Sequence, residues 1–126
     1  LSPMLVDSLD AVIIMTHAIV KGQETRRLRE ITEVIEVKPD GTATTNTPFI
    51  WNPAQDIFQS NNQSKIFDKI SDKFGLKKED LMKEFEIRST LLRKFFSEKI
   101  LSYEDVQKII NEYQKNPQAV LKRYGF

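Results

Sequence analysis

The sequence predicts an α+β fold: an antiparallel β-meander followed by a small bundle of about four helices. Two observations predict it. Composition changes near residue 60, from β-branched residues and turn signals to Lys, Glu, Leu and Phe at helical spacing. The apolar runs before that point are also short and separated by glycine and proline turns. The division expected is therefore 1–60 for the strands and 61–126 for a helical subdomain.

Ala11-Val12-Ile13-Ile14-Met15 is a continuous apolar run after Asp10. Its length and β-branching favour a buried strand over a helix. Lys21-Gly22-Gln23-Glu24 reads as a reversal of the chain. Arg27 to Val37 reads as a long strand with Ile31, Ile35 and Val37 on one face, interrupted by Glu33. Pro39-Asp40-Gly41 is a strong turn, because proline presets one backbone angle and glycine accepts positive φ. Thr42 to Trp51 is the partner strand, Asn52-Pro53 breaks it, and Asp56 to Gln59 returns as a short last strand.

The remainder reads as helices. Ile66, Phe67, Ile70 and Phe74 recur at helical spacing and Gly75 follows as a stop. Leu81, Phe85, Leu92 and Phe95 stripe a longer helix, widened by Leu91 and Phe96. Ser102 caps a third, with Asp105 at the capping-box position and Val106, Ile109, Ile110 and Tyr113 on its apolar face. Asn116-Pro117 starts the last short helix, which Gly125 ends.

The chemistry that the chain can carry is narrow. With 126 residues and a net charge of +1, it has no global field for nucleic acid or an anionic membrane. No cysteine and one histidine exclude disulfides, thiolate sites and a multi-histidine metal centre. None of the four glycines precedes Lys and Ser or Thr, so no phosphate-cradling loop is present. His17 has no visible nucleophile or acid partner and reads as structural or exposed. Glu33, Glu36, Asp40 and Asp56 lack a metal-ligand spacing, so no complete catalytic site is expected. The densest basic cluster is Arg26, Arg27 and Arg29 beside Lys21, with Arg27 and Arg29 sharing one strand face. It is either a solvated strand start balanced by Glu24, Glu30 and Glu33, or a contact for an anion or a neighbouring subunit. The early apolar run is too short for a signal or a membrane span, and the opening at Leu1 reads as a cut inside a longer chain.

Several stretches carry a family resemblance. Ser8 to Met15 resembles the late core strand of secretion and archaellum ATPases. Arg26-Arg27-Leu28-Arg29-Glu30-Ile31-Thr32-Glu33-Val34 resembles their next strand, which begins with paired arginines. Thr45-Asn46-Thr47-Pro48-Phe49-Ile50-Trp51-Asn52-Pro53, then Asp56-Ile57-Phe58, is similar to a stretch of the archaeal branch. So is the tail, Ile100 to Val106 with Ile110, Tyr113 and Asn116-Pro117. The resemblance runs from about Pro3 to Pro117.

The resemblance implies the C-terminal part of a hexameric type II/IV secretion, pilus or archaellum motor ATPase with a RecA-like P-loop core. It implies ATP and Mg as cofactors of the parent chain, whose nucleotide-binding motifs would precede Leu1. It implies a cytoplasmic place at the inner face of the membrane, against a polytopic platform protein, and no nucleic acid partner. Arg26 and Arg27 would then lie near nucleotide or at a subunit boundary. This reading expects an open sheet edge, uncovered apolar strand faces and no ATP turnover by this chain alone. The alternative is a stand-alone protein–protein interaction module, which expects a closed core and no exposed edge.

Overall fold

The computed structural model describes residues 2–61 and 63–126. They form two compact units, Leu1–Leu76 and Lys77–Phe126.

The first unit opens on a single helical turn, α1 (Pro3–Asp7), that the sequence reading missed. Ser2 caps it by accepting from the Leu5 amide, and Pro3 occupies the first helical position. Four strands follow: β1 (Ala11–Val20), β2 (Gln23–Val37), β3 (Ala43–Asn52) and β4 (Ile57–Ser60). They pair antiparallel in chain order, so β1 and β4 are the edges of the expected meander.

Turn chemistry fixes this order. Val20 pairs with Gln23 across Lys21 and Gly22, both with positive φ, the signature of a type I′ hairpin that matches strand twist. At the next reversal the Gly41 amide donates to the Lys38 carbonyl at 2.9 Å, and Asp40 accepts from both the amide and hydroxyl of Thr42. At the third, Asn52 accepts from the Ala54 amide at 3.0 Å.

β1 corrects the expectation of a buried strand. It continues through His17 to Val20, and Val12, Ile13, Ile14 and Met15 are all exposed, Ile13 and Met15 by 60% each. Val12 and Ile14 are covered in part, at 40% and 37% exposure, whereas Ile13 and Met15 keep most of their surface open.

Helix α2 (Lys65–Phe74) belongs to this unit and not to the later helices. Gly75 ends it in the left-handed region at φ 64°, with open space where a Cβ would stand. Gly75→Ala should therefore cost about 1 kcal/mol through backbone strain alone. A denaturant midpoint measurement on the sheet unit would check it; no change would mean that α2 frays before Gly75.

The second unit consists of α3 (Lys78–Ser97), α4 (Tyr103–Lys115) and α5 (Pro117–Arg123). Its core is Leu91, Phe95, Ile109, Tyr113 and Val120, flanked by Ile100, Val106, Leu121 and Tyr124. The inward stripe of α3 is thus Leu91 and Phe95. Leu92 and Phe96, one position further round the helix, are 54% and 74% exposed. The expected caps form: Ser102 accepts from the Asp105 amide and Asn116 from the Ala119 amide. The Lys94 ammonium closes the end of the unit by donating to the Tyr124 carbonyl. No helix among the described residues is long and apolar enough to cross a membrane.

Candidate functional site

The paired arginines lie on β2 opposite β1, Arg26 facing His17 and Arg27 facing Thr16. Their side chains have different fates. Arg26 and Arg29 are exposed. Arg27 is half-buried and forks onto Asp56, with Nε to Oδ1 at 2.9 Å and Nη2 to Oδ2 at 3.1 Å. Its remaining nitrogen, Nη1, donates to the Thr25 hydroxyl at 2.8 Å and the Arg26 carbonyl at 3.0 Å. Every nitrogen of the guanidinium is therefore engaged within the chain.

Asp56 is the centre of this cluster. It precedes β4 in the left-handed region at φ 49°, a conformation that aspartate tolerates better than most residues. Its Oδ1 also accepts from the Trp51 indole N–H at 2.9 Å. The hydrogen bonds from Arg27, then that from Trp51, outweigh partial desolvation and lower the Asp56 pKa to about 2. These contacts explain the Trp-Asn-Pro…Asp spacing: β3 presents Trp51, the turn reverses the chain, and Asp56 returns to meet both Trp51 and Arg27.

A second carboxylate, read from sequence as an interruption, is the most buried polar group of the unit. Glu33 is 2% exposed. It accepts from the Ser64 hydroxyl, from Asn46 Nδ2 at 2.8 Å, and from the amides of Lys65 at 2.7 Å and Ile66 at 3.4 Å. Burial opposes its ionisation, but these donors outweigh it and hold its pKa below the usual carboxylate value. Strand irregularities between Ile31 and Glu33 and between Val34 and Glu36 bury Glu33 and Val34 side by side. Simple alternation could not foresee this. The available signal was a carboxylate on an apolar strand, which demands partners when buried.

In the helical unit, Glu84 accepts from Arg88 Nε at 2.8 Å and from the Tyr113 hydroxyl at 2.9 Å. The Arg88 guanidinium lies 5.6 Å from the centre of the Tyr113 ring. Burial, then the bond to Glu84, raises the Tyr113 pKa. His17 is exposed on β1. No group of three or more His, Cys, Asp or Glu side chains among the described residues is arranged to hold a metal. The structure thus joins Arg27, Trp51 and Asp56, and brings neither Arg26 nor His17 into that cluster.

An uncharacterized protein of Methanocaldococcus jannaschii is 27% identical to this chain over 113 residues, covering 89% of the chain and 42% of that protein. The chain therefore spans less than half the length of the curated relative that it matches. No protein-family model matches the chain.

Proposed function

We propose that this chain is the C-terminal part of a secretion or pilus-type motor ATPase, in which its sheet joins a RecA-like core and its helices pass motion to a neighbouring subunit or a membrane platform protein. The observation that carries the reading is the uncovered apolar β1. Ile13, Met15 and Ile19, at alternate positions and so on one face, are 60%, 60% and 75% exposed on an edge strand with no charged residue from Ala11 to Val20. A self-sufficient sheet buries such a face or charges such an edge. ATP and Mg would be bound by the parent chain. In this reading Arg27 braces the strand pair, and Arg26 is the arginine left to meet nucleotide or a subunit boundary.

The experiment is to express the complete reading frame and measure Mg-dependent ATP hydrolysis. Turnover that is lost when the phosphate-loop lysine is replaced by alanine, and that is missing from residues 1–126 alone, is the expected result. A complete protein with no such loop and no nucleotide binding would sink the proposal.

The alternative, an interaction module with no nucleotide role, is favoured by the full engagement of Arg27 within the chain. The double variant Ile13→Lys, Met15→Lys separates the two readings. In the motor reading it lowers self-association of the isolated chain by sedimentation, yet destabilises the complete protein. In the module reading the complete protein tolerates it.

A further inference from the structure

Helix α2 lies against the sheet without one fully buried side chain of its own. Ile66, Phe67 and Ile70 are half-buried and Phe74 is 63% exposed. Its N-cap residue, Ser64, makes no side-chain bond to its own helix. The Ser64 hydroxyl donates instead to Glu33 of β2, and Glu33 does the capping by accepting from the Lys65 and Ile66 amides. Asn46 of β3 braces the same carboxylate and donates to the Gln63 carbonyl at 2.7 Å, just ahead of the helix. A further polar tie is Lys69 to Asp10 at 3.4 Å between two exposed side chains, a kind of pair that solvent screens to little effect.

We propose that α2 is a detachable helix and that the Glu33 carboxylate is its latch. Local opening is easiest where no side chain is locked in a core, and none of the α2 side chains is fully buried. Once withdrawn from Glu33, its first amides lose the carboxylate that caps them, and ten residues are too few to hold a helix in water. Release therefore unwinds α2 while the β2–β3 ladder stays formed. The latch thus decides whether the last element of the sheet unit is a helix or a loose chain. This inference stands on the Glu33 geometry and does not depend on the motor reading.

Amide hydrogen exchange on the whole chain tests it. In the unsubstituted protein, α2 amides are expected to exchange faster than those of β2 and β3. Glu33→Ala should speed α2 exchange by about tenfold or more, the loss expected from an N-cap and its buried partners, with β2, β3 and α3–α5 changed far less. Lys69→Ala should leave α2 within about threefold, as for an exposed ion pair. Acceleration of α2 and the sheet together would make Glu33 an ordinary core residue, and unchanged α2 would remove the latch; either overturns the proposal. Should Glu33→Ala not fold, Ser64→Ala removes one donor and leaves the carboxylate its other partners. It must still speed α2 selectively, and uniform exchange in that variant overturns the proposal as well.

Discussion

Phe95→Ala is expected to unfold the helical unit while the sheet unit stays folded. Phe95 is 3% exposed and packs among Leu91, Ile109, Tyr113 and Val120. Its ring meets the Tyr124 ring edge to face, with centroids 5.4 Å apart. Truncating a buried phenylalanine costs about 3–5 kcal/mol, through lost transfer energy and the cavity left behind. A unit running only from Lys77 to Phe126 has a core of a size that supplies about that much stability. Phe96→Ala is the matched control: Phe96 is 74% exposed, so its loss should cost about 0.5 kcal/mol or less. The check is NMR, with methyl dispersion of Ile109 and Val120 lost in the first variant and kept in the second. The reverse order would place α3 in a different rotation.

The second large effect is expected at the β3–β4 turn. Asp56→Ala removes at once the acceptor for Arg27 and for the Trp51 indole, and leaves alanine in a left-handed backbone position. The β4 amides and the Trp51 indole proton should lose their dispersed NMR shifts, while Glu33 keeps α2 in place. Asp56→Gly relieves the backbone but still lacks the carboxylate, so it should loosen the turn too; a well-ordered glycine variant would show that the ion pair contributes little.

Acid gives the same test without substitution. The folded pKa of Asp56 is depressed from 3.8 to about 2 by the bonds from Arg27 and Trp51. The stabilisation is therefore fully present above pH 3.8 and is lost as pH falls from there through about 2. An unsubstituted chain should show this loss at the β3–β4 turn, and Asp56→Asn should not.

Much of the fold was legible because it is written in local chemistry. Lys21-Gly22, Pro39-Asp40-Gly41 and Asn52-Pro53 are turns for reasons internal to a few residues, and they suffice to set the strand order. Ser102, Asn116 and Gly75 marked helix ends for the same reason. The failures lie where structure depends on distant partners. Glu33 sits on the core side because strand irregularities shift the alternation and because Ser64, 31 positions away, faces it. The exposure of Ile13 and Met15 depends on what packs on that face of β1, which an apolar run by itself does not reveal. The choice of Leu91 and Phe95 over Leu92 and Phe96 turns on where α4 and α5 lie, since all four residues fit an apolar helix face. At the candidate site, Arg27, Trp51 and Asp56 were each noted, but the contact from Arg27 to Asp56 spans 29 positions and leaves no periodic trace.

The indole that anchors the β3–β4 turn has an optical consequence. Trp51 is the one tryptophan of the chain and stands in the sheet unit, whereas Tyr103, Tyr113 and Tyr124, the three tyrosines, all stand in the helical unit. The two units therefore carry separate natural chromophores. Excitation at the red edge of the absorption band reports on the sheet alone, and tyrosine emission reports on the helices, so each melting curve can be recorded in one unlabelled sample.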